Sequence, residues 1–312
     1  MHSDRINRRE FLRLAGTVAG IAALPASASR LGAAGGAQVP VSMAQGGSPG
    51  QNAEKAVAAL GGMGVFVSRG DIVVVKPNIG WDRTPEQAAN TDPEVVVAVA
   101  AMCLAAGAKA VRVFDRTCNE ARRCYASSGI AEAVERFARK NHAADALRVY
   151  HVEERKFVRT SIPGALALKE WELYRDVLEA DKVVNVPIAK HHSLSDVTLG
   201  LKNLMGVMGG NRGQVHFRLP ECLVDVNRRV PSCLTVIDAG RVLLRNGPSG
   251  GDLADVKNFG AVFASGNVVA ADMTAAEKVF GLKAESVAHI RKAMESGLGI
   301  SSPSQVRLLR VG

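Results

Sequence analysis

Five short runs of apolar, largely β-branched residues, each ending on a polar side chain, recur between residues 71 and 272 and limit what this chain can fold into. Asp71–Val75 runs into Lys76, Pro77 and Asn78, and Ala110–Phe114 runs into Asp115. Lys182–Val186 leads through Pro187 to Lys190, His191, His192 and Ser193. Cys233–Ile237 reaches Asp238, and Ala261–Ala264 reaches Ser265, Gly266 and Asn267 with Asp272 just beyond. Helical stretches lie between them at 93–106, 130–140 and 273–280, the first with Asp92 placed as N-cap, Pro93 in its first turn and Gly107 at its end. Strands that alternate with helices, and whose cores are apolar throughout, predict an α/β fold: a mostly parallel sheet with helices on both faces. Ligands of such sheets bind beyond the carboxyl ends of the strands, so the five polar ends are expected to form one cleft.

The chain opens differently. Arg8 and Arg9 precede Phe11 and Leu12, an apolar run extends from Leu14 to Leu24, Pro25 ends it, and Ala26-Ser27-Ala28 supplies small residues at a cleavage position. That order is the pattern of a twin-arginine (Tat) signal peptide over residues 1–28. The run is well short of the roughly 20 residues that span a bilayer, so a cleaved leader rather than a stable membrane anchor is expected. The expectation carries a partner, the Tat translocase during export, and a periplasmic or otherwise exported location. Residues 29–51, rich in Ala, Gly, Ser and Pro, read as a flexible spacer, and 52–312 as a single α/β domain.

The formal net charge is +9, of which the leader contributes +2. With aromatics at 4% and no long Lys/Arg run, nucleic acid is not the expected partner; an anion-binding cleft is. Five cysteines stand at 103, 118, 124, 222 and 233. Cys103, inside an apolar helical run, reads as core, and the spacings of the others contain no C-x-x-C, so the chain has no iron–sulfur motif. An exported location permits disulfides without specifying any pairing.

The strand ends supply the candidate chemistry. Lys76 and Asn78 end the first strand; Lys190, His191 and His192 follow the third. Two adjacent histidines point different ways, so one serves as ligand, base or anion donor, or both belong to a solvated loop. Lys202 and Asn203 sit in the apolar stretch 198–208, where an ammonium requires a carboxylate or a bound anion. The following glycines and Arg212 suit an oxyanion, against the plainer reading of a tight turn. Asp238 and Asp272 with His191 and His216 form a donor set that would suit a divalent metal, although Asp also caps helices and turns. His192, Lys202 and Asp238 are the candidate catalytic groups, and Lys76, Asn78, Lys190, Asn203 and Arg212 the candidate substrate contacts. No strand-borne GxGxxG, Walker A, GxSxG or HExxH pattern occurs.

Taken in order, several of these stretches resemble the bacterial and archaeal domain of unknown function 362 family over about residues 56–299. They are Val74 to Asn78, Thr91 to Val95, Ala106 to Lys109, Pro187 with Lys190-His191-His192, Leu201 to Gly206, Val236 to Ala239, Gly247-Pro248 and Val269 to Asp272. The resemblance implies an α/β fold and leaves the reaction open. Some similar proteins carry a ferredoxin-like segment that this chain lacks. They often read Lys-Thr-His, so His192 matches their histidine and His191 replaces the threonine. The expected function is an exported enzyme acting on a small anionic substrate, with or without a divalent metal. The alternative is a non-catalytic periplasmic binding or accessory protein for an iron–sulfur redox partner.

Overall fold

The computed structural model describes residues 38–312, and the expected leader at 1–28 lies outside them. The folded unit runs from Gln38 to Gly312. Twelve strands are present among the described residues. They are β1 (Val39–Gln45), β2 (Ile72–Pro77), β3 (Ala110–Val113), β4 (Leu147–Val149), β5 (Phe157–Ser161), β6 (Glu170–Tyr174), β7 (Lys182–Val186), β8 (Ile188–His192), β9 (Asp196–Thr198), β10 (Leu234–Leu243), β11 (Val256–Ser265) and β12 (Val306–Val311). The helices that matter below are α1 (Pro49–Ala58), α2 (Pro93–Ala105), α3 (Ala121–Ser127), α4 (Ile130–Lys140), α5 (Arg175–Leu178), α6 (Gly200–Asn203), α7 (Leu219–Arg229), α8 (Val268–Phe280) and α9 (Ala288–Glu295).

The main sheet has the order β12-β1-β11-β10-β7-β2-β3-β4, with β8 beside β10 and β9 beside β8. Pairing is parallel between β12 and β1 and throughout β10-β7-β2-β3-β4; only β11 and β9 run the other way. The strands carry continuous apolar sequence because both faces are covered. On β2, Val73 and Val75 pack beneath α1, α2 and α4, while Val74 faces the opposite side with Phe114, Leu204 and Leu223. On β10 and β11 the same alternation sends Val236 and Val262 to the first layer and Ile237 and Phe263 to a layer with α8 and α9.

Local signals account for the helices. The Asp92 side chain accepts from Glu94 N at 2.9 Å and Pro93 occupies the first turn of α2. Gly107, at φ 94°, takes the left-handed conformation that turns the chain toward β3. In α4, Ile130, Val134 and Ala138 recur every four residues and form its buried stripe.

Two expectations are corrected. The stretch read as spacer up to residue 51 contains β1 and the start of α1, with β1 hydrogen-bonded between β11 and β12. A strand of seven residues with Val41 and Ala44 buried was masked by the surrounding Gly, Ser and Pro. The fifth polar end also fails to join the other four. β11 is antiparallel to β10, so Ser265 pairs with Thr235 at the beginning of β10.

Candidate functional site

The parallel register brings three strand ends together. Lys76 of β2 lies across from Asn185 of β7, and Val75 across from Val113 of β3, two residues before Asp115. Lys76 has no exposed surface, and its Nζ lies 2.8 Å from Asp115 Oδ1 and 2.6 Å from the Pro77 carbonyl oxygen. Asp115 Oδ1 accepts no well-aligned hydrogen bond, so the contact is an ion pair held by proximity. Asp115 Oδ2 accepts from Ile79 N at 2.7 Å. Gly206 closes over the pair: a Cβ there would stand 1.8 Å from Asp115 Oδ1.

Asn203, on α6, joins the strand ends. Its amide nitrogen donates to Lys76 O at 3.0 Å and to Asn185 Oδ1 at 2.8 Å, and its oxygen accepts from Asn78 Nδ2 at 3.1 Å. Asn185 Nδ2 donates in turn to Gly200 O at 2.8 Å, fixing the start of α6. Lys190, on β8, is 1% exposed; its Nζ donates to Ala89 O at 2.5 Å and Asn78 Oδ1 at 3.2 Å, under the Trp81 ring at 5.9 Å. Lys202, also on α6, is 7% exposed, and among the described residues its Nζ reaches only Met205 Sδ, at 3.4 Å. A thioether is a weak acceptor, so this ammonium is almost unsolvated by the protein.

Of these three buried lysines only Lys76 has a carboxylate within 4.0 Å among the described residues, and the charges of Lys202 and Lys76 oppose that of Lys190. Burial pushes Lys202 down to about 8, with Arg212 adding to the shift and Cys118 opposing it. Lys190 falls to about 7, again mainly through burial, with Lys202 and Lys76 as further repulsive charges. Lys76 is also lowered, because burial outweighs the attraction of Asp115.

The expected histidines divide as their adjacency required. His191 Nδ1 accepts from Gly247 N at 3.1 Å, on the side of the 247–252 loop. His192 Nδ1 accepts from Leu194 N at 3.1 Å, and its ring stacks on His216 with centroids 6.0 Å apart. Accepting at Nδ1 assigns the His192 proton to Nε2. Burial, then the charge of Lys202, lowers His192 to about 3, so it is a neutral donor rather than a proton shuttle. His216 Nδ1 lies 3.0 Å from the Gly213 carbonyl oxygen, which assigns its proton to Nδ1 and leaves Nε2 as an acceptor.

Arg212 was expected to grip an oxyanion, but its guanidinium is engaged by the chain. It donates to the carbonyls of Arg116 at 2.7 Å, Thr117 at 2.6 Å and Met205 at 3.3 Å, and contacts Cys118 Sγ at 3.3 Å. Its contribution is charge and the joining of two loops. Asp238 and Asp272 hold backbone instead of lining the cluster. Asp238 accepts from Asp92 N at 2.8 Å and Gly240 N at 2.9 Å, and burial beside the Asp92 carboxylate raises it to about 7. Asp272 accepts from Gly200 N at 2.7 Å and Leu201 N at 2.8 Å, and burial raises it to about 7. It thus anchors the turn that carries Lys202 and Asn203. The donor set expected for a metal is not assembled: among the described residues no group of three His, Cys, Asp or Glu side chains is placed to hold an ion.

Asn185, Trp81 and Cys118 escaped the sequence reading. An amide within the apolar strand Lys182–Val186 was the available signal for Asn185. Trp81 lines a surface cleft of about 460 Å³ with Asp82, Asn119 and Arg123, and its ring centroid lies 5.9 Å from Lys190 Nζ. The glycine-rich loop at 247–252 is tied down beside it by Arg83, which donates to Ser249 O at 3.1 Å, and by Gln87, which donates to Gly251 O at 2.9 Å. All five cysteines are free thiols, and Cys103 is core as expected.

A mostly parallel α/β sheet whose strand ends converge on buried lysines defines the class to which this chain belongs. Residues 73–277 match the family model described as Domain of unknown function (DUF362). The chain belongs to that family, and the match contains Lys76, Lys190, His192 and Lys202. A similar curated protein is the thylakoid-associated protein sll1697 of Synechocystis sp., 30% identical over 223 residues that make up 68% of this chain. The aligned part is 64% of that relative's length, so the chain spans less than two thirds of it. Among solved structures, the lactate racemase apoprotein of Thermoanaerobacterium thermosaccharolyticum aligns with TM-score 0.43 at 11% identity, over 75% of this chain and 56% of that one. A likeness that distant carries no argument about the site.

Proposed function

We propose that the protein binds a small anionic substrate at the carboxyl ends of β2, β7 and β8 and acts on it as an enzyme, by proton transfer. The observation that carries this reading is the charge imbalance of the cluster: Lys76, Lys190 and Lys202 are all buried, and among the described residues only Lys76 has a carboxylate, Asp115, within 4.0 Å. Lys190 and Asn78 position the anion with Lys202, and Asn203 holds them in register. Lys202, lowered to about 8, exchanges its proton near neutral pH, as a general acid or base must. His192 donates from Nε2.

The test is thermal stabilisation and calorimetric binding with inorganic phosphate and with small mono- and dicarboxylates. Native mass spectrometry of freshly purified protein adds a search for a retained anion. Lys202→Met is expected to weaken the best anion by about tenfold or more, the scale of one hydrogen bond between charged groups. Equal affinity in that variant would remove the cluster from the binding site.

Export forms part of the same proposal. The twin-arginine pattern at Arg8 and Arg9 supports transport of the folded chain to the periplasm. No helix among the described residues is long and apolar enough to cross a membrane. Substituting both arginines by lysine and following the protein in cell fractions tests it; an unchanged distribution would refute this route.

A further inference from the structure

The three lysines of the cluster are not equivalent. Lys76 is paired with Asp115 and the Pro77 carbonyl, and Lys190 is pinned by Ala89 O and Asn78 Oδ1. Lys202 Nζ has neither a carboxylate within 4.0 Å nor an oxygen acceptor among the described residues, and Met205 Sδ is its one neighbour at bonding distance. Its backbone is nevertheless held firmly. Gly200 N and Leu201 N donate to Asp272, and a Cβ at Gly200 would meet Asp272 Oδ1 at 2.8 Å. The amine is thus carried on a fixed turn with an uncommitted nitrogen, desolvated and near Arg212. That is the environment in which a lysine works as a nucleophile.

We propose that Lys202 is a covalent nucleophile that forms an imine with an anionic aldehyde or ketone, the anion being held by the neighbouring lysines. This rests on the anion-binding reading above and names its substrate class: a small carbonyl compound that also bears a carboxylate or phosphate. The neutral Nζ attacks the carbonyl carbon, and the C=O bond gives way to a carbinolamine. The two nitrogen-borne hydrogens and the former carbonyl oxygen leave as water, and the C=N bond forms. No oxidant or reductant is consumed. His192, which feels the charge of Lys202, presents an Nε2–H suited to the carbonyl oxygen.

Burial supports the nucleophilic state of Lys202 and outweighs the charges around it. Arg212 disfavours its ammonium and Cys118 favours it, while His192, His216, His289 and Lys190 each register its charge. At pH 8 an ordinary lysine is under about 1% neutral amine, whereas one near 8 is about half neutral.

Pyridoxal 5′-phosphate is a suitable probe because it carries both an aldehyde and an anion. The full chain is incubated with it at pH 8, reduced with borohydride and mapped by peptide mass. The expected result is one phosphopyridoxyl group on Lys202, favoured by about tenfold or more over any surface lysine, and suppressed by inorganic phosphate. Lys202→Arg keeps the charge without the nucleophile and should lose the adduct. The wild-type peptide map decides the matter even if that variant does not fold. An adduct absent from Lys202 while phosphate still stabilises the wild type would overturn the imine and leave the anion site standing. If neither adduct nor stabilisation occurs, both fall.

Discussion

Lys76 Nζ and Asp115 Oδ1 lie 2.8 Å apart with side chains 0% and 3% exposed, the one ion pair among the described residues with both side chains buried. Removing the anionic half leaves Lys76 enclosed with no countercharge. Asp115→Ala is expected to cost about 3–5 kcal/mol in urea unfolding, whereas the double replacement Lys76→Met, Asp115→Leu should recover most of it. A single-variant loss below about 1 kcal/mol would mean that water reaches the pair.

Gly206 provides an independent probe of the same pair. An alanine Cβ would stand 1.8 Å from Asp115 Oδ1 and 2.6 Å from Lys76 Nζ, so the ion pair must move. Gly206→Ala should destabilise by about 1–3 kcal/mol and weaken anion binding. Gly64→Ala, where nothing lies within 4 Å, is the control and should leave both unchanged. Equal behaviour of the two variants would contradict the packing described.

Asp272 touches no expected ligand yet positions the turn bearing Lys202. Asp272→Ala orphans two backbone N–H groups and is expected to cost about 1–3 kcal/mol, with a loss of anion affinity alongside. Its raised value near 7 has the opposite pH sign from a paired carboxylate. The folded state binds more protons than the unfolded one between about 3.8 and 7, so this group's contribution falls as pH rises through that window. Urea melts of wild type and Asp272→Asn across pH 4–8 would expose the difference as a flatter slope in the variant.

Lys190 and Lys202 make anion binding a proton-linked event. Both are lowered, to about 7 and about 8, and an arriving anion favours their charged forms. Binding near pH 8 should take up protons, and affinity should fall as pH rises, by up to about tenfold per unit for each proton linked. Calorimetry in buffers of different ionisation enthalpy reads the uptake directly; zero uptake at pH 8 would count against lysine-centred recognition.

His289, on α9, is buried with Nε2 unpartnered, and burial lowers it to about 3. The unfolded chain takes up a proton near 6.5 that the folded state refuses until about 3, so this group's contribution is lost as pH falls between those values. His289→Phe should move acid unfolding to lower pH while leaving stability at pH 7 within about 1 kcal/mol, followed by circular dichroism. An unchanged acid midpoint would show that other groups, His192 among them, dominate.

Much of this protein was legible in its sequence, for a physical reason. Continuous apolar runs such as Val73-Val74-Val75 suit only strands covered on both sides, and the caps Asp92, Pro93 and Gly107 act within a few residues of themselves. The apolar run around Lys202 likewise marked its ammonium as one that needs a carboxylate or a bound anion, while Lys76 and Lys190 were legible only as polar strand ends. Tertiary structure decided which partner each side chain has. It turned β11 against its neighbours, gave Asp238 and Asp272 to backbone N–H groups, and drew Arg212 onto carbonyls at 116, 117 and 205. It also left Lys202 with no oxygen to bond among the described residues. Strand direction and hydrogen-bond allocation depend on contacts between residues tens to hundreds of positions apart, such as Gly200 with Asp272, and local spacing does not encode them.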